Sequence, residues 1–199
     1  SSVEPSIADG DPCAYETLIL GIGNNLLTDE GVGIHVIRYL VEHHADTPAV
    51  TFLDGGTLSF TLAEPIAEHD NLIVVDAARL GEPPGTYRCL EGAEMDRYLT
   101  GNRASVHEVG LVDLFDISRL SGTFPRNRAL IGIEPESLGW GDVPTPAVAS
   151  AIAVTLYEVA VPGDEATNAL FDRRGGAEPD VLDQIIDIGV GGGHVAGLN

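Results

Sequence analysis

"ILGIGNNLLTDEGVG", residues 19–33, ends an apolar run on two glycines and then presents two acids, Asp29 and Glu30. The run "TLILGIG" (17–23) reads as a buried parallel strand. "EGVGIHVIRYLVEHH" (30–44) reads as the helix after it, with Val36, Ile37, Leu40 and Val41 on one side, Glu30 in the first turn and His43 and His44 in the last. A strand, a glycine turn and a helix also frame nucleotide-binding loops, so that alternative needs testing. The dinucleotide fingerprint G-x-G-x-x-G requires a third glycine, and here Leu26 stands in its place. A P-loop requires lysine, which the chain lacks altogether. Two carboxylates would also oppose a pyrophosphate where backbone N–H groups should dominate. Taken alone, the two acids read as helix-dipole stabilisation, about 0.3–1 kcal/mol each.

Outward from this stretch, strands and helices alternate. "AVTFLD" (49–54) and "NLIVVDA" (71–77) read as strands, with "LSFTLAEPIAEH" between them as a short helix broken by Pro65. "TYRCLE" (86–91) alternates like an edge strand, "AEMDRYL" like a helical turn or two, and "GNRAS" is a loop. "VHEVGLVDLFDISRL" (106–120) is helical and "RALIGIE" (128–134) is the last strand. "TPAVASAIAVTLYEVA" (145–160) starts a helix with Thr145 as N-cap and Pro146 at the first helical position. The pattern predicts an α/β fold with a mainly parallel sheet covered on both faces, its ligand site beyond the carboxyl ends of the strands. That rim comprises residues 21–30, 54–57, 76–79 and 134–140. One domain is expected over 17–160, with a short extension at 1–16. The acidic, glycine-rich extension at 161–199 is read as mobile, with one possible helix at "PDVLDQIIDIG".

The chain has 199 residues, 44% of them hydrophobic, and a formal charge of −21 in which all ten basic residues are arginine. Such a field repels nucleic acid and anionic lipid and favours a basic or metal-loaded partner. Cys13 and Cys89 form no C-x-x-C pair, and no apolar run is long enough to span a bilayer. The expectation is a soluble cytoplasmic protein, with nothing demanding an oligomer.

Asp76 closes the apolar run "LIVVDA", so its carboxylate should emerge at the same rim as Glu30, and His107 follows a polar loop at the entry to a helix. Two carboxylates and an imidazole from separate loops can converge on one divalent ion and leave coordination positions open, the arrangement of a catalytic metal. Mixed nitrogen and oxygen ligands suit zinc, nickel or related ions without selecting one.

"LGIGNNLLTDEGVG", "DGGT" (54–57), "VVDA" (74–77), "PPGT" (83–86), "HEVGLVD" (107–113) and "GIEPESLGWG" (132–141) occur in the order and spacing of the hydrogenase maturation endopeptidases, which the chain resembles over about residues 17–160. The resemblance implies a three-layer α/β/α fold with a twisted, five-stranded sheet. It also implies an endopeptidase that removes the C-terminal extension of a [NiFe]-hydrogenase large-subunit precursor after nickel insertion. It makes Glu30, Asp76 and His107 the metal-contacting residues and links Asp54, with Gly55 and Gly56, to substrate or nickel recognition. Read from the residues alone, Asp54 is a turn former at Asp-Gly-Gly. Glu136 and Trp140 are expected on the surface of a substrate-facing loop, or of a connection that its proline and glycines merely shape. The nickel would arrive with the substrate, and zinc or cadmium could take its place. A non-catalytic module that holds nickel or the precursor, and a nucleotide-binding oxidoreductase, are the competing readings.

Overall fold

The computed structural model describes residues 16–101 and 106–160, with the backbone alone for 106–109 and 157–160. The N-terminal extension, most of the "GNRAS" loop and the possible helix in the C-terminal extension lie outside the described residues.

Among the described residues, five strands and five α-helices follow in the order β1 (Thr17–Gly21), α1 (Val32–His44), β2 (Val50–Asp54), α2 (Ala63–Glu68), β3 (Asn71–Ala77), β4 (Tyr87–Glu91), α3 (Ala93–Gly101), α4 (Val106–Ser121), β5 (Asn127–Ile133) and α5 (Pro146–Ala160). The sheet order is β2-β1-β3-β5-β4. All pairings are parallel except that of β4, which runs antiparallel along the edge of β5, as its alternating pattern suggests.

Alternation along the strands builds two cores. Leu18, Leu20, Leu72, Val74 and Leu130 point to one face and pack with Ile66 of α2, Met95 and Leu99 of α3, and Leu111, Leu114 and Phe115 of α4. Ile19, Ile73, Val75, Ile131 and Ile133 point to the other and meet Val36, Ile37 and Leu40 of α1 and Val148, Ala151 and Leu156 of α5. This is the expected three-layer arrangement. Among the described residues, no helix is long and apolar enough to cross a membrane.

Three local readings are corrected. Glu30 belongs to a separate 3-10 turn, Thr28–Gly31, and α1 begins only at Val32. Val41 is exposed, leaving Val36, Ile37 and Leu40 as the buried side of α1. Pro65 does not break its helix, because it is the third residue of α2, in the first turn, where an amide has no intrahelical partner to lose.

The close approach of α1 to the sheet depends on Gly33. A Cβ there would lie 2.2 Å from the Val75 carbonyl oxygen and 2.3 Å from that of Ile22, both of them backbone atoms. Gly33 thus performs the packing task of the third glycine that the loop's sequence lacks. Gly33→Ala is expected to destabilise the protein by more than about 3 kcal/mol, read as a lowered denaturant midpoint at unchanged slope.

His35, in the first turn of α1, has a buried Nε2 atom without a hydrogen-bond partner among the described residues. Burial first, and then the Arg38 guanidinium, hold its pKa below the ordinary 6.5, with Asp142 acting in the opposite direction. A folded value below the unfolded one means that the unfolded chain binds the proton more readily. The stability this neutral ring contributes is therefore complete above about pH 6.5 and is lost as pH falls through the folded value. His35→Gln should reduce the loss of stability between about pH 7 and about pH 5, measured by denaturant titration of both proteins.

Candidate functional site

In sheets of this kind, a crevice opens where the strand order reverses direction. Here the chain leaves β1 for β2 on one side and then crosses to β3 on the other, so the switch point lies between β1 and β3. The register aligns Asp54, Gly21 and Val75 across β2, β1 and β3. Asp76 is one residue beyond Val75, and the chain after Gly21 leads to Glu30. The turn that carries Glu30 packs against β3, so the backbone of both acids lies at this end of the sheet.

The loop between them is closed on itself. Ile22 N donates to the Val75 carbonyl at 2.9 Å, Gly23 N to that of Gly56 at 2.9 Å, and Asn24 N to that of Glu30 at 3.3 Å. Gly23 sits at φ +148°, with its α-carbon so near Glu30 that a Cβ would come within 2.0 Å of the Glu30 oxygen. A phosphate loop needs its amides turned outward. Here they are committed to the protein's own backbone, which removes the physical basis for nucleotide binding.

Asp76 is 7% exposed. Strand alternation places it on the face of Leu72 and Val74, the face that α4 covers. Because α4 feeds β5 through the turn after Ser121, it runs antiparallel to β5 and its first residues lie at the carboxyl rim. The position of Gly110 agrees, since a Cβ there would come within 3.2 Å of Leu58, just past the Asp54 turn. The backbone thus brings His107, second residue of α4, to the rim and to the face of Asp76. Its side chain lies outside the described residues, among which there is no group of three or more His, Cys, Asp or Glu able to hold a metal.

Asp54 is exposed and uses its Oδ1 to accept the Gly56 amide at 2.9 Å, the turn-forming role read from its residue type. Gly55 N donates to the Gly21 carbonyl at 2.8 Å, fastening this turn to the end of β1. Glu136 and Trp140 are on the surface, as expected of their loop.

Two further carboxylates organise the rim. Asp29 is 0% exposed. Its Oδ2 accepts the amides of Glu136 and Ser137, each at 2.9 Å, and the Thr145 hydroxyl at 3.0 Å, while Oδ1 accepts the Thr145 amide at 2.7 Å. Thr145 begins α5 as the sequence suggests, with its carbonyl accepting the Ala149 amide. Its hydroxyl is directed at Asp29. The Thr28 hydroxyl donates to the Ser137 carbonyl at 2.5 Å, its amide to that of Gly141 at 2.7 Å, and Gly141 N returns a bond to Leu26 at 3.0 Å. Glu134 does similar work on the other side, its Oε2 accepting Leu80 N at 2.5 Å and Glu82 N at 3.3 Å. Between these anchors is a cleft of about 350 Å³ lined by Arg79, Gly81, Glu134, Pro135, Glu136 and Leu138. The positioning roles of Asp29 and Glu134 escape a reading from sequence alone. Their one signal is that "TDEGVG" and "GIEPESLGWG" occur in the same chain.

A family model described as hydrogenase maturation protease matches residues 34–161. The hydrogenase expression/formation protein HupD of Rhizobium leguminosarum bv. viciae is 34% identical over 89% of this chain and 89% of its own. HoxM of Azotobacter vinelandii is 39% identical over 63% of this chain, and the matched stretch spans only 60% of its length. Among solved structures, the hydrogenase maturating endopeptidase HybD from E. coli superimposes with a TM-score of 0.68 at 36% identity, over 72% of this chain and 89% of that one.

Asp29→Asn leaves a buried amide where four donors require an acceptor. A loss of about 2–4 kcal/mol in stability is expected. Backbone hydrogen exchange should quicken at Glu136, Ser137 and Thr145 and stay unchanged in the β1–β3 ladder.

Proposed function

This chain belongs to the hydrogenase maturation protease family, and we propose that it removes the C-terminal extension of a [NiFe]-hydrogenase large-subunit precursor once nickel is in place. What supports this reading is the backbone arrangement at the β1–β3 switch point: Asp76 follows Val75 at the end of β3, Glu30 lies in the loop that leaves β1, and the first turn of α4 is on the face of Asp76. The nickel belongs to the substrate. Carboxylates from Glu30 and Asp76 and a ring nitrogen from His107 form a mixed oxygen and nitrogen donor set suited to that ion.

A divalent cation beside the scissile bond polarises the carbonyl and lowers the pKa of a bound water. Water then adds to the carbonyl carbon, the C–N bond breaks, and the departing amine takes a proton. Asp54, Gly55, Gly56 and Glu136 border the path that the precursor tail would take to this point. The turn at Asp54 is fastened to β1, so a change there would move the wall of the crevice along with any contact to substrate.

Dependence on the substrate's own metal makes cleavage a checkpoint for nickel loading. Purified protein incubated with precursor should produce the mass loss of the extension only when the precursor holds nickel. Equal cutting of the nickel-free precursor overturns this reading. Glu30→Gln, Asp76→Asn and His107→Ala should each lower turnover by about 100-fold or more while the far-ultraviolet spectrum is retained. A protein that only holds its partner would lose affinity in these variants and would have no turnover to lose.

A further inference from the structure

Leu26, Leu138, Trp140 and Val143 are 56%, 40%, 86% and 70% exposed. Scattered apolar residues on a surface need no explanation, but these four are gathered. Three lie on one six-residue stretch. The fourth is joined to it, because Gly141 N donates to the Leu26 carbonyl and Leu27 pairs with Gly141 in a parallel bridge. The stretch is held from below by the bonds of Asp29 and Thr28, so its side chains are presented on a fixed backbone. A surface ordered in advance loses little conformational freedom on binding. Tryptophan is among the residues most enriched as interface anchors.

Two observations indicate the occupant. Leu138 also lines the cleft beside Glu134 and Glu136, so the apolar patch is continuous with the carboxyl rim of the sheet. The patch is flanked by the exposed acids Glu136 and Asp142, in a chain of net charge −21. A partner bearing lysine or arginine beside apolar side chains is complementary to both features.

We propose that Leu26, Leu138, Trp140 and Val143 form a docking surface for a segment of the large-subunit precursor in which apolar side chains are flanked by basic ones. This deepens the reading above and rests on it. The patch selects which precursor is engaged, and the residues at the switch point carry out the chemistry. Its side chains contribute little to the core, so their role is separable from folding.

Trp140 is the single tryptophan of the chain, so protein labelled with 5-fluorotryptophan gives one fluorine resonance that reports on the patch. In a Glu30→Gln background, which prevents turnover, that resonance should shift on addition of nickel-loaded precursor. In otherwise unaltered enzyme, Trp140→Ser and Val143→Ser should each raise KM for the precursor roughly tenfold with kcat within about twofold, and Trp140→Phe should restore most of the loss. A resonance that does not move, together with an unchanged KM in both serine variants of an enzyme that still cuts, overturns the docking surface alone. A resonance that shifts with the protein's own concentration and ignores precursor assigns the patch to a second copy and overturns it as well. A wild-type protein that neither binds nor cuts the nickel-loaded precursor overturns the proposed function and the patch with it.

Discussion

The Asp29 carboxylate is the constraint on which the rim depends. A buried carboxylate is costly unless its oxygens are satisfied, and here four donors from three residues converge on it. Those donors belong to the loop after β5 and the start of α5, while Asp29 itself follows β1. One side chain thereby fixes the two segments that border the switch point against each other. Glu30 is the next residue along the chain, so its position is set by the same bonds. Thr28, held at φ +33°, is a strained residue kept in place by its bonds to Ser137 and Gly141.

The same clamp would link the proposed chemistry to the proposed docking surface. Its inner side lies at the β1–β3 switch point, and its outer side carries Leu138, Trp140 and Val143. A precursor docked on the outer side, as proposed, would have a fixed relation to the crevice. Positioning of that kind is worth more than contact area, because reaction rates fall steeply when reacting groups are misplaced by about 1 Å.

The main architecture was legible in the sequence because it rests on periodicity. The run 71–77 is apolar enough to be read as a buried strand, and Asp76 stands out as the acid that ends it. Glu30 is legible from the strand, glycine turn and helix around it, although the turn is a 3-10 segment of its own. From sequence Asp29 is one more acid near a helix start, because its partners lie 107 to 116 residues downstream and bonds of that span leave no periodic trace. The missing third glycine argued correctly against a dinucleotide loop, but Gly33 still lets the helix and strand pack closely. Pro65 resembles a break in sequence because the position of the helix start, which decides whether a proline is tolerated, is weakly encoded locally. Leu138, Trp140 and Val143 form a patch with Leu26 only through the folded backbone, which no local sequence pattern reveals.

On the proposed mechanism, three separated segments present Glu30, Asp76 and His107 to one point able to accept a cation. A crystal of the protein soaked in a nickel or cadmium salt tests it most directly. The expected result is a single ion in contact with a carboxylate oxygen of Glu30, a carboxylate oxygen of Asp76 and a ring nitrogen of His107. A His107 ring turned away from the crevice, or an ion held elsewhere while these three side chains remain apart, would contradict it.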